Sequence, residues 1–161
     1  WGMRAEAGGR RRAFLLVELI AVLVIVGSLS CISLQTLSNS QTRERRIILN
    51  EAKNFCTWMK HRMALAARES VEFRVMLTQN TDRSYEMTII WLGGMKNLRH
   101  EIYSFDEAVL AYEGVRELIF SGRWFTLTPA ATFIVKSRKM PEVRYFVTIA
   151  GTGYVDIKDK L

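Results

Sequence analysis

Glu18 is the residue whose position most clearly implies chemistry, because it is the one charge in the apolar run from Phe14 to Ser33. A carboxylate inside an apolar helix costs about 2.5 kcal/mol or more in hydrocarbon. A neighbouring ammonium group lowers that cost, since two ions that are each costly to bury become tolerable as a pair. Glu18 is therefore the residue of this run whose role most needs an explanation.

The histidines and cysteines form no pattern typical of catalysis or metal binding. His61 and His100 are the two histidines, and neither has cysteines or carboxylates nearby at the spacing of metal ligands. Cys31 and Cys56 are 25 residues apart in one predicted helix, or about 37 Å at the helical rise per residue, which is too far for a disulfide. No nucleophile elbow, phosphate loop or paired-carboxylate signature occurs. We expect no enzymatic activity, no cofactor, no metal and no small-molecule ligand.

Positive charge is concentrated in two places along a chain of 161 residues with a net charge of +7. One is the N-terminal segment, where arginines precede the apolar run. The other is a downstream cluster made of Lys136, Arg138, Lys139 and Arg144. Charged residues around a turn are the ordinary composition of a solvated surface, whereas a basic patch can also contact phosphates. We expect a solvated turn, and keep a weak nucleic-acid patch as the alternative.

The apolar run is 20 residues long, enough to cross a hydrocarbon core of roughly 30 Å as a helix. The preceding arginines favour a cytoplasmic N-terminus, which would place the rest of the chain on the periplasmic side. Two alternatives are a signal peptide with Ser28-Leu29-Ser30 as its cleavage site, and a lipoprotein with lipid on Cys31. Both leave Glu18 without a role.

A basic leader and a short motif precede the apolar run. Arg10-Arg11-Arg12-Ala13 is followed by Phe14-Leu15-Leu16-Val17-Glu18, and this order resembles the type IV prepilin signature. The resemblance implies that a prepilin peptidase cuts between Ala13 and Phe14 and methylates the new amino group. It also implies that Glu18 neutralises such an amine when subunits pack in a filament. Ala13 stands where most members of the family have glycine, and no proline occurs before Pro129 to kink the helix.

The rest of the chain predicts one long helix and then a set of strands. An apolar stripe at helical spacing continues the helix past the membrane segment, and is formed by Ile48, Ala52, Phe55, Met59, Met63 and Ala66. From Ser70 the pattern alternates, which predicts a hairpin of two strands, the second over Tyr85 to Leu92. Further strands are predicted at Val115 to Phe120, Trp124 to Leu127, Thr132 to Ser137, Val143 to Ile149 and Tyr154 to Ile157. The segment 95–114 is ambiguous.

These elements predict an α+β, pilin-like fold in which a long N-terminal helix, half membrane segment and half amphipathic, packs on a small antiparallel sheet. The predicted parts are a leader, 1–13, a transmembrane half, 14–33, an amphipathic half, 34–69, and a β-rich head, 70–161. Residues 64–75 and 147–157 also resemble, more loosely, the H-type minor pseudopilins of type II secretion systems.

That resemblance implies a structural subunit of a pseudopilus for protein export. Its partners would be the prepilin peptidase, other pseudopilins and the bacterial inner membrane, which it would cross once with its head in the periplasm. A minor pilin that binds DNA, and a signal-anchored or lipoprotein domain that forms no filament, are the alternatives.

Overall fold

The computed structural model describes the backbone of residues 7–93 and 100–160, with side chains over 16–30, 39–93 and 100–160. One helix, α1, is assigned to Ala7–Glu69. The chain divides into two compact units, Trp1–Thr42 and Arg43–Leu161. The first contains the apolar part of the helix, and the second contains its amphipathic part together with all the described strands.

Nine strands of the second unit form one antiparallel sheet. Their bounds are β1 Glu72–Gln79, β2 Tyr85–Leu92, β3 His100–Tyr103, β4 Ala108–Tyr112, β5 Glu117–Ser121, β6 Thr126–Thr128, β7 Ala131–Ser137, β8 Arg144–Ile149 and β9 Val155–Lys158. The order across the sheet is β6-β5-β1-β2-β4-β7-β8-β9, and β3 pairs with β2 beside β4. Consecutive strands are mostly neighbours, as expected where short turns connect antiparallel strands.

The β1–β2 hairpin shows how local sequence sets the register. Side chains at alternate positions of β1 are buried, as the alternation from Ser70 predicts. The intervening turn is closed by Asp82, whose Oδ1 accepts hydrogen bonds from the Ser84 amide at 3.0 Å and the Ser84 hydroxyl at 2.5 Å. These bonds lower the pKa of the Asp82 carboxyl, because they favour its charged form.

The core lies between the amphipathic part of α1 and the inner face of the sheet. All six residues of the predicted apolar stripe are buried, with exposed fractions of 1% or less. Phe55 is at the centre of this layer, and its ring contacts those of Tyr103, Phe105 and Phe133 at centroid distances of 5.2, 5.5 and 5.7 Å. The helical period therefore identifies the face of α1 that packs on the sheet.

The predicted fold class is wrong in the size of its sheet and in its membrane half. The segment interpreted as ambiguous, 95–114, contributes β3 and β4 within its described part, 100–114, so the sheet has nine strands among the described residues and is not a small one. The side chains of α1 are described in two stretches, 16–30 and 39–69. Among the residues that the structure describes, no helical stretch combines the length and apolar character needed to cross a membrane.

This finding also corrects the predicted single-pass location in a bacterial inner membrane with a periplasmic head. The described part of the predicted transmembrane half includes the charged Glu18, and a carboxylate is unfavourable in hydrocarbon. The ends of the predicted transmembrane half lie outside the described side chains.

Candidate functional site

The apolar stretch of α1, residues 16–30, presents large side chains on every side of the helix. Ten of them are between 51% and 66% exposed, namely Leu16, Val17, Leu19, Ile20, Val22, Leu23, Val24, Ile25, Val26 and Leu29. Contiguous apolar patches on soluble monomers rarely exceed a few hundred Å², and larger ones mark interaction sites. This stretch is the strongest candidate for an interaction surface in the first unit.

Glu18 lies in this surface and is itself exposed. The other polar groups of the stretch are satisfied locally, since the hydroxyls of Ser28 and Ser30 donate to the carbonyls of Ile25 and Val26 at 2.9 and 2.8 Å. Glu18 is therefore the one ionisable group on an otherwise apolar surface. The side chains of Ala13 and Phe14, the predicted processing site, lie outside the described residues.

Two carboxylates of the second unit join α1 to the sheet, and no sequence pattern identifies them. Glu44 is buried and accepts a hydrogen bond from the Ser137 hydroxyl at the end of β7. Glu51 accepts bonds from the backbone amides of Glu107 and Ala108 at 2.7 and 3.0 Å. These two carboxylates are seven residues apart, which is two turns of the helix, so they lie on one side of α1. They position the helix over the start of β4 and the end of β7.

A third polar group faces inward on β3. Glu101 accepts hydrogen bonds from the Trp91 indole at 3.0 Å and the Arg62 Nε at 2.7 Å. The Arg62 guanidinium also lies 5.1 Å from the centre of the Trp58 ring, within the distance of a cation–π contact. These contacts explain how a carboxylate occupies the inner face of the sheet.

The basic cluster predicted as a weak nucleic-acid patch is only partly assembled. Lys136 and Arg144 are direct cross-strand neighbours on β7 and β8, while Arg138 and Lys139 lie in the exposed turn between these strands. The Lys139 ammonium makes an ion pair with Glu107 at 2.8 Å, which raises the pKa of Lys139 and lowers that of Glu107. One of the four charges is thus neutralised by a partner within the protein.

A groove separates the amphipathic part of α1 from β9, the last strand of the sheet. Its lining residues are Leu49, Lys53, Cys56, Thr57, Lys60, Tyr145 and residues 154–160. Cys56 lies at its base and is buried, which raises the pKa of its thiol. Sequence reasoning does not single out Lys53 and Lys60 as a pair, because only the packing of α1 beside β9 brings them to one groove.

The histidines predicted to lack a catalytic or metal role are far apart in sequence and both exposed. His61 lies on α1, where its Nδ1 is 3.0 Å from a guanidinium nitrogen of Arg62, and His100 begins β3. Among the described residues, no three His, Cys, Asp or Glu side chains are close enough to hold a metal ion. Cys31 lies outside the described side chains.

Comparison with known proteins identifies no relative of this chain. No protein-family model matches the sequence, and neither a curated protein nor a solved structure is detectably similar to the chain.

Proposed function

We propose that this protein is a structural subunit of a filament, of the pseudopilin kind that serves type II secretion, and that it assembles through the apolar stretch 16–30 of α1. The observation that carries the proposal is the position of Glu18 on an exposed apolar helical surface. The resemblance of Phe14 to Glu18 and their basic leader to the prepilin signature supports the same function.

The exposed side chains of the stretch supply the driving force for assembly. Burying a Val, Leu or Ile side chain completely contributes about 1.5–3 kcal/mol, and the ten large side chains of 16–30 are each a little more than half exposed. Covering them with the equivalent stretches of neighbouring subunits would contribute on the order of 10 kcal/mol per subunit.

Glu18 would select the register of neighbouring helices. A carboxylate enclosed in an apolar bundle is strongly unfavourable unless it is paired and hydrogen-bonded. Cleavage after Ala13 would create an amino group on Phe14, and methylation would keep its positive charge. Pairing of Glu18 with the Phe14 amine of an adjacent subunit satisfies both ions, and a register that separates them leaves two unpaired charges in the bundle.

The proposal is tested by comparing Glu18→Ala with Glu69→Ala in the native host, measuring the fraction of the protein recovered in sheared filaments. Glu69 is a second exposed carboxylate of α1, outside the apolar stretch, so its variant controls for loss of a negative charge. We expect Glu18→Ala to lower the filament fraction at least tenfold at equal cellular amount, and Glu69→Ala to leave it unchanged. Equal incorporation of both variants would refute assembly through Glu18.

A further inference from the structure

The last strand of the sheet, β9, has an unpaired edge. It pairs with β8 along one side, from Ile149 opposite Val155 to Phe146 opposite Lys158, and it ends the strand order. No other described strand hydrogen-bonds to its second side. The Ile157 amide donates to the neighbouring Asp156 carboxylate at 2.9 Å, a bond that an added strand would replace. The other backbone amides and carbonyls of such an edge are groups that an extended chain can join.

The groove between this edge and α1 has space for such a chain. The groove consists of two adjoining depressions, with volumes of about 540 and 460 Å³, and Lys53 and Ile157 line both of them. Each volume is in the size range of protein ligand clefts. The first depression has an apolar surface, which is formed by Leu49, Tyr145 and Ile157. Side chains of an added strand would point alternately toward this surface and toward solvent.

The charges at the groove favour an acidic occupant. The lining residues include four lysines, Lys53, Lys60, Lys158 and Lys160, against two aspartates, Asp156 and Asp159. Lys158 has an ion-pair partner, Asp156, at 3.7 Å. Lys53 and Lys60 form no ion pair with the described residues, and both are exposed. They are seven residues apart on α1, about 10.5 Å along the helix axis, a span that three residues of extended chain cover.

We propose that this groove binds an extended acidic segment of a partner protein, which adds to the sheet as a strand beside β9 while its carboxylates meet Lys53 and Lys60. The unpaired edge selects a polypeptide, since its amides and carbonyls match those of another strand. The unpaired lysines select acidic side chains. This interaction goes beyond filament assembly, and it uses no residue of the apolar stretch.

The binding is tested by fluorescence anisotropy with the full-length protein and a labelled eight-residue peptide of alternating aspartate and valine. We expect saturable binding that weakens as the salt concentration rises, because exposed charges are screened. A peptide of the same sequence that is N-methylated at every backbone amide should lose measurable binding, since it cannot donate hydrogen bonds to β9. A peptide of alternating lysine and valine should not bind.

Variants locate the site on the protein. The double variant Lys53→Gln/Lys60→Gln should weaken binding about fivefold or more. The control is the double variant Lys136→Gln/Arg144→Gln, which removes two positive charges from the outer face of β7 and β8 and should leave binding unchanged. Absence of binding by the acidic peptide, equal binding by its N-methylated form, or an equal effect of the two double variants would each overturn the proposal. So would displacement of the peptide by an oligonucleotide of equal charge. The assay requires no filament, so its failure is distinct from a failure of assembly through Glu18.

Discussion

Replacement of Glu51 by alanine should destabilise the sheet unit, because the carboxylate of Glu51 accepts hydrogen bonds from two backbone amides at the start of β4. A hydrogen bond to a charged group contributes about 1.5–3 kcal/mol. Glu51 is only partly buried, so water can replace part of each bond and the lower end of that range applies. The two bonds together give an expected loss of about 3 kcal/mol in the free energy of unfolding for Glu51→Ala. Glu51→Gln keeps an acceptor oxygen, and we expect it to lose about half as much.

Urea unfolding of the full-length protein, followed by circular dichroism, measures this loss. With a urea dependence of about 1–3 kcal/mol per molar, the midpoint should fall by about 1–3 M. Asn50→Ala is the matched control, since Asn50 is the exposed neighbour on the same helix. Hydrogen exchange provides a local readout, as the amides of Glu107 and Ala108 should lose protection. The reasoning is refuted if Glu51→Ala unfolds within 0.5 kcal/mol of the Asn50→Ala variant, a difference typical of surface substitutions.

Three further predictions concern the core, a close backbone approach and a turn. Phe55→Ala should lower the free energy of unfolding by about 3–5 kcal/mol in thermal or urea denaturation, while Trp124→Ala, at a side chain 72% exposed, should change it by less than about 0.5 kcal/mol. Gly122→Ala should destabilise the protein by about 1–3 kcal/mol, because an added Cβ would lie 2.2 Å from a backbone oxygen of α1. The control is Gly151→Ala, whose added Cβ would have its nearest contact at 3.6 Å and should not destabilise the protein. The lowered pKa of Asp82 contributes stability that is present above its ordinary pKa and lost as the pH falls through its lowered value. Asp82→Asn should therefore reduce the acid dependence of urea unfolding below about pH 4, and an unchanged profile would contradict that contribution.

The elements that the sequence predicts well are those whose local pattern agrees with their tertiary environment. Tyr85 to Leu92 is a strand with the predicted bounds, because every second residue from Met87 to Trp91 is apolar and buried and a polar turn precedes the strand. The stripe from Ile48 to Ala66 is buried as predicted, since its period matches the helix. In both cases one face of the element is apolar and nothing polar interrupts it.

The sequence leaves 95–114 ambiguous, and for β3 within it the reason is that its pattern depends on contacts that are distant in sequence. Glu101 occupies an inward-facing position of β3, although a carboxylate in a strand usually faces solvent. It lies inside because Arg62 and Trp91 supply its hydrogen bonds, and no local pattern encodes those partners. Ser137 at the end of β7 is likewise a buried polar residue whose hydrogen-bond partner, Glu44, is 93 residues away in the sequence.

The candidate sites also differ in whether the sequence alone identifies them. Glu18 could be singled out from the sequence because its apolar surroundings are its sequence neighbours. The groove beside β9 could not, because Lys53 and Lys60 belong to α1 and the unpaired edge belongs to a strand about 100 residues later. Only the packing of the helix on the sheet brings these features to one place. The basic cluster around Lys139 was visible in sequence, but its partner Glu107 was not.

The proposed pairing of Glu18 of one subunit with the Phe14 amine of another can be measured by zero-length carbodiimide crosslinking of filaments from the native host. Filaments would be grown from a mixture of light and ¹⁵N-labelled protein and digested for mass spectrometry. We expect a crosslinked peptide pair that joins the amino group of Phe14 to the Glu18 carboxylate, with light and heavy partners mixed. This pair should be absent in Glu18→Gln. A chain that retains residues before Phe14, or filaments whose crosslinks never join Phe14 to Glu18, would contradict the proposed pairing.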